Sequence, residues 1–192
     1  MNKVADIVII GDPNDVSCAL EKAKSQPRTI NCHLTAFGLN PLDGSHASSD
    51  GVMQAVSGIM ATTGFPDGPE YRAGCNLADS VAALYAAIGV LAALHDRDIT
   101  GSGQELDISI CDCLMTFLLL WLPSYFIDGK ASARKGNRHL SSVPWNTYPA
   151  SDGTIMICTS TDQQWYRLAE LLGHPDLGLG SRFEHLPGRM NE

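Results

Sequence analysis

From Gly74 to Leu94 the chain reads Gly-Cys-Asn-Leu-Ala-Asp-Ser-Val-Ala-Ala-Leu-Tyr-Ala-Ala-Ile-Gly-Val-Leu-Ala-Ala-Leu, and Asp79 is its only charged residue. From Leu77 onward apolar side chains fall on every side of a period of about 3.6 residues, which predicts a helix buried all round rather than one with a solvated face. Ala82, Ala83, Ala86, Ala87, Gly89, Ala92 and Ala93 are small enough for other elements to pack closely against it. Asp79 falls in the first turn, where unpaired backbone N–H groups and the helix dipole favour a carboxylate. An anion held there is a candidate nucleophile. Asn76-Leu77-Ala78-Asp79 also reads as a capping box, with Asn76 as N-cap and Asp79 reaching back to it. Spacing alone leaves both roles open, and they are compatible.

With 192 residues, 44% of them hydrophobic, the chain can bury a core in one domain, or in one domain plus a smaller unit. A formal net charge of −8 argues against a nucleic-acid groove or an anionic membrane surface as the main partner. A local basic pocket for a phosphorylated ligand is still compatible with it. The six cysteines, at 18, 32, 75, 111, 113 and 158, form no Cys-x-x-Cys pair, and no paired His spacing occurs, so no metal site is predicted. Most lie in apolar surroundings, which suggests reduced thiols. Met-Asn-Lys-Val-Ala-Asp at the start carries an acid where a signal peptide needs its apolar core. The apolar runs Val81 to Leu94 and Leu114 to Leu122 are too short to span a bilayer. The expectation is a soluble cytoplasmic protein with neither nucleic acid nor membrane as partner.

Working outward, Val4 to Ile10 is a continuous apolar run closed by Gly11-Asp12-Pro13, the pattern of a strand buried on both faces. Asp15 to Lys24 reads as a helix stopped by Pro27, and Arg28 to Phe37 as a second strand. Strand, helix, strand in that order suggests a right-handed crossover and a parallel sheet. A loop from Asn40 to Ser49 leads into an apolar helix from Asp50 to about Thr62. The turn-dense Gly64-Phe65-Pro66-Asp67-Gly68-Pro69 precedes the central helix. After it, Thr100 to Gln104 reads as a structural turn, Gln104 to Ile110 as a strand, and Cys111 to about Ile127 as an apolar helix that Pro123 should kink or end. The basic stretch Asp128 to Ser142 reads as a linker or exposed loop with a solvated surface. Thr154 to Thr159 then reads as a strand and Asp162 to Leu172 as an amphipathic helix. Arg182 to Glu192 shows no evident closing element. No dinucleotide fingerprint, Walker A loop or nucleophile elbow occurs.

Several segments together, in order along nearly the whole chain, resemble the family III CoA-transferases. They are Gln26-Pro27-Arg28, Gln54-Ala55-Val56-Ser57-Gly58, Thr62 to Pro69, Asp79, Ile88 to Leu94, and Arg97 followed by Thr100-Gly101-Ser102-Gly103-Gln104. Gly153, Trp165, Leu172-Gly173 and Pro175 continue the likeness. The resemblance implies an α/β fold: part of a Rossmann-like large domain with parallel strands over 1–127, a linker over 128–143, and part of a small α+β domain over 144–192. It identifies Asp79 with the family's aspartate nucleophile. His46, Ala47, Ser48 and Ser49 fall in a loop that contacts coenzyme A in the family. The implied substrates are an acyl-CoA thioester and a carboxylic acid, with no permanently bound cofactor and no metal. The implied assembly is a homodimer, interlocked in longer members.

By the same resemblance, Asp79 would attack the thioester carbonyl to give a mixed anhydride, and CoA thiolate would convert this to an aspartyl-CoA thioester from which the acceptor acid takes CoA. Such a carboxylate needs an apolar, poorly hydrated setting. The family's racemase branch carries a His immediately before the aspartate that opens the preceding helix. Here Ser49 stands before Asp50. Transfer is therefore favoured over 2-methylacyl-CoA racemisation, which is the weaker alternative. The acidic Gly11-Asp12-Pro13-Asn14-Asp15, in a loop commonly basic in the family, motivates another reading: a non-catalytic or truncated homologue that binds acyl-CoA without turnover.

Overall fold

A computed structural model describes residues 6–11, 26–40, 49–131 and 133–190. They divide into two compact units, one within Met1–Thr63 and Glu70–Ser132, the other within Gly64–Pro69 and Ala133–Glu192.

The first unit is built on a parallel sheet of β1 (Ile7–Ile10), β2 (Ile30–Thr35) and β3 (Glu105–Ser109), in that spatial order. Ile9 lies beside Cys32, and Cys32 beside Leu106. The helix predicted over Asp15 to Lys24 lies outside the described residues. Burial of β1 on both faces does not hold: Ile9 is 65% exposed, because β1 borders the sheet among the described residues. The single helix expected from Asp50 to Thr62 is two, α1 (Asp50–Val56) and α2 (Ile59–Thr62), interrupted where Gly58 adopts φ 87°. That left-handed conformation suits glycine and ends the first run.

The central helix, α3, runs Leu77–Thr100. It is not buried all round. Ala78, Val81, Ala82, Ala86 and Ala93 are buried, whereas Leu84, Ile88 and Leu91 are each more than 60% exposed. One side meets the sheet, where a Cβ at Gly89 would lie 3.4 Å from Leu106 Cδ1, and α3 also packs on α1 and on α4 (Ile110–Met115). The described residues supply no layer for the remaining side. With 24 residues, α3 is long and apolar enough to cross a membrane by length and composition alone, because turns at both ends extend the shorter predicted run. Its small residues instead serve the core of its own unit.

That core joins Ala36, Met53, Ile59, Ala78, Ala82, Ile110, Leu114 and Leu118. Ala82 is fully enclosed. Ala82→Leu is therefore expected to cost about 1–3 kcal/mol through overpacking, read as a lower urea midpoint. A midpoint equal to the parent's would mean that the site collapses around larger side chains.

The C-terminal end of α3 is tied to the sheet. Gly101 caps it at φ 78°, donating to Arg97 O at 2.8 Å. Gly103 N–H donates to Pro27 O at 2.7 Å, and a Cβ there would overlap the Thr29 carbonyl, so only glycine fits this turn. Arg97 donates to Asp6 O at 3.4 Å and Arg28 O at 3.2 Å, while Arg28 donates to Gly101 O at 3.3 Å. After α4, a 3-10 turn at Thr116–Leu118 leads to α5 (Trp121–Asp128), bent by 72° from the preceding run. The break falls at Leu119 and Leu120, within the turn to which Pro123 has no N–H to bond back, so the kink or end expected at this proline is present. Pro123 sits in the first turn of α5, where a missing N–H costs no helical bond.

In the second unit, β4 (Trp145–Ala150) and β5 (Gly153–Cys158) form an antiparallel hairpin, followed by α6 (Asp162–Leu171) and α7 (Leu186–Met190). Thr161 and Gln164 complete a capping box at the start of α6. Within the stretch read as a linker, Arg134 donates to Gly68 O at 2.7 Å and His139 stacks on Trp145 at 4.3 Å. A closing element does exist near the end of the chain. Arg189, 5% exposed, donates to the carbonyls of Val143 (3.0 Å), Phe183 (2.9 Å) and Glu184 (2.8 Å) and to Asp162 Oδ1 (2.6 Å). A short helix with one arginine leaves little periodic signal to read in advance.

Asp162 also pairs with His185 Nδ1 at 2.9 Å. The hydrogen bond from His185, and next that from Arg189, hold the Asp162 carboxyl below its ordinary value. The same bond holds the His185 imidazole above its own, with Glu184 adding to the effect. A raised histidine contributes stability that is full below its ordinary value of 6.5 and lost as pH rises through the folded value. A lowered carboxyl contributes stability that is present above 3.8 and lost as pH falls through its folded value. The second unit is thus expected to be most stable between about pH 4 and 6.5. His185→Gln should flatten the alkaline limb of a melting-temperature profile, and an unchanged limb would contradict this.

Candidate functional site

α3 opens without the capping box that its sequence suggests. Asn76 is the N-cap, at φ −75° and ψ 83°, and its side chain makes no capping bond. The acceptor comes instead from another helix: Asp50 Oδ1 accepts the Ala78 N–H at 2.8 Å. Asp50 is buried, and a buried carboxylate must be paired or hydrogen-bonded. Its Oδ2 accepts from Gln54 Nε2 at 2.8 Å and faces Arg72 Nη1 at 3.4 Å. Gln54, fully enclosed, accepts the Ala73 N–H on Oε1 at 2.8 Å and donates to Cys75 O at 3.4 Å. Two side chains one turn apart on α1 thus hold both the loop before α3 and its first turn.

Asp79, the third residue of α3, is exposed. Among the described residues it has no hydrogen-bond or ion-pair partner, so its carboxylate carries no capping duty. The apolar, poorly hydrated surround expected of a nucleophile is not formed by the described residues. Burial of small residues along α3 lines only the side that meets the sheet, α1 and α4.

Of the four loop residues expected to meet a coenzyme, His46, Ala47 and Ser48 lie outside the described residues. Ser49 accepts from Val52 N at 3.4 Å and caps α1, directly before Asp50. Burial pushes the Cys32, Cys111 and Cys113 thiols up, which makes them poor nucleophiles. Among the described residues no group of three His, Cys, Asp or Glu could hold a metal ion. Sequence reasoning passed over Asp50, Gln54 and Arg72 as parts of the site. The available signal was a polar pair at i, i+4 inside an otherwise apolar helix.

Comparison with known proteins places the chain in a family. The chain is 36% identical over 171 residues to the acetyl-CoA:oxalate CoA-transferase of Acetobacter aceti, covering 88% of this chain and 44% of that protein. It is 32% identical over 183 residues to the succinyl-CoA:mesaconate CoA-transferase of Haloarcula hispanica, covering 90% and 46%. The chain therefore spans less than half the length of these relatives. A crystal structure of a CaiB/BaiF family protein from Brucella suis superposes with a TM-score of 0.79 at 31% identity, covering 97% of this chain and 51% of that one. A hypothetical protein from Mycobacterium tuberculosis shares the fold, with a TM-score of 0.83 at 24% identity over 98% and 51%. The profile described as CoA-transferase family III matches residues 19–192, and the chain belongs to that family.

Proposed function

We propose that this chain carries the nucleophile-bearing portion of a CoA-transferase, with Asp79 as the attacking group. The observation that supports it is an acid in the first turn of the longest helix that is free of capping duty because Asp50 does the capping. An Asp79 carboxylate oxygen adds to the thioester carbonyl of an acyl-CoA. The C–S bond breaks, CoA leaves as thiolate, and a mixed anhydride remains. The thiolate attacks the Asp79 side-chain carbonyl, releasing the donor acid and leaving an aspartyl-CoA thioester. The acceptor carboxylate repeats the two steps in reverse: it displaces thiolate, and the thiolate then takes the new acyl group and frees Asp79. Positive charge at the helix start stabilises anionic character developing there.

The relatives' names supply the substrate class. Acetyl-CoA and succinyl-CoA are the reasoned donors, and short dicarboxylic acids such as oxalate or mesaconate the reasoned acceptors. His46, Ala47, Ser48 and Ser49 are assigned to the coenzyme, and a homodimer in a reducing cytoplasm is the proposed setting. The free thiols Cys32, Cys75, Cys111, Cys113 and Cys158 fit that compartment. Acyl-CoA binding without turnover is the second reading, and the exposure of Asp79 favours it. Racemisation has weaker support, since Ser49 occupies the position before Asp50.

Intact-mass spectrometry decides between the first two. After incubation with acetyl-CoA or succinyl-CoA and quenching with hydroxylamine or borohydride, a modification mapped to Asp79 is expected. A folded protein that no donor modifies would move the assignment to the non-catalytic reading.

A further inference from the structure

We infer that Asp50 and Gln54 form a positioning pair for transfer at Asp79, an assignment that rests on the reading of Asp79 as nucleophile. The backbone from Ala73 to Ala78 carries Asp79 into place, and its anchors converge on these two side chains. Ala73 N–H is held by Gln54 Oε1 and Cys75 O by Gln54 Nε2, while Ala78 N–H is held by Asp50 Oδ1. The two anchors are themselves coupled through Gln54 Nε2 and Asp50 Oδ2. Asn76, the residue placed to cap the helix locally, contributes no side-chain bond. Asp79 follows Ala78 directly, so the register of its carboxylate against a bound thioester is set by where Asp50 holds the Ala78 amide.

The donors and acceptors in this pair are polarised in one direction only. Asp50 offers acceptors on both oxygens, and Gln54 must present its N–H to Asp50 and its oxygen to Ala73. An amide at position 50 cannot satisfy this. With its oxygen toward Ala78, its NH2 confronts that of Gln54. Rotating either amide moves the conflict onto the Ala78 or Ala73 N–H. Exchanging the two functional groups does satisfy it: an amide at 50 and a carboxylate at 54 restore all three strong bonds and forgo the two 3.4 Å contacts, to Cys75 O and from Arg72 to position 50.

The test compares Asp50→Asn with Asp50→Asn/Gln54→Glu, using acetyl-CoA and succinyl-CoA as donors and Asp79→Ala as control. Two independent readouts are followed, kcat and KM for transfer, and hydrogen exchange at the Ala78 amide. Asp50→Asn should leave KM for acyl-CoA unchanged, lower kcat on the order of 100-fold, and speed Ala78 exchange by about tenfold. The double exchange should recover most of both. A merely structural role would lower the amount of folded protein and leave kcat per folded molecule unaltered. That outcome, or a kcat loss that the double exchange fails to recover, overturns the proposal. If Asp79→Ala stays active, the nucleophile reading fails and the positioning role falls with it, whereas fast Ala78 exchange in Asp50→Asn would still report the bond itself.

Discussion

Asp79→Ala is expected to abolish CoA transfer while leaving the protein folded. In the double displacement proposed above, every step forms or breaks a bond at the Asp79 carboxyl, so on that reading no covalent route survives its removal. Loss of a nucleophile that acts as part of a unit lowers kcat on the order of 10⁴- to 10⁶-fold. The side chain is exposed and has no partner among the described residues, so stability should change by less than about 0.5 kcal/mol. Asp79→Glu is more informative still. It keeps the charge and chemistry but advances the carboxylate by about one bond length, and a misplacement on the order of 1 Å costs roughly 100-fold. A graded series of parent, glutamate and alanine, with the adduct lost in parallel, would match a nucleophile. Full transfer by the alanine variant would remove Asp79 from the mechanism.

Arg189→Ala carries the largest expected loss of stability, confined to the second unit. Three backbone carbonyls, from Val143, Phe183 and Glu184, lose their donor at once, and Asp162 loses its shortest partner. Orphaned buried acceptors cost about 1–3 kcal/mol each, offset where water reaches them, so a net loss of about 3 kcal/mol is expected. The guanidinium also lies 5.6 Å from the Trp165 ring centroid, so packing on α6 loosens as well. Arg189→Lys should rescue little, because an ammonium cannot reach carbonyls arrayed around a planar fork. Urea unfolding followed by Trp165 fluorescence measures this. A transition unmoved by either substitution would show that the unit closes without its arginine.

The order of elements, the parallel sheet and the position of Asp79 were legible in the sequence, because apolar period, turn glycines and motif spacing all act locally. Helix ends were less so. Gly58 interrupts its helix through a backbone conformation, and the bend before α5 falls one turn upstream of Pro123, at the residue to whose carbonyl its missing N–H would have bonded. β4 was missed because Pro144 and Pro149 mask a strand that needs only one neighbour. The capping of α3 was misassigned for the same kind of reason. Asn76 and Asp79 have the spacing of a local cap, but the acceptor in use, Asp50, is 28 positions before Ala78, and no periodicity reports a bond of that range. The open side of α3 was equally hidden, since composition tells which residues are apolar and not how many layers exist to cover them.

The ties at the two ends of α3 have a mechanical consequence. Asp50 grips the first turn, and the Arg28, Arg97 and Gly103 contacts grip the last, so the helix behaves as a beam resting on two fixed supports. A beam held in this way resists sliding and tilting, and a load applied at one support is carried to the sheet at the other. The carboxylate near its end is then a stationary anvil. On the proposed function, accommodation of thioesters of different length falls to residues outside both supports, and variants that broaden acyl tolerance should map away from them.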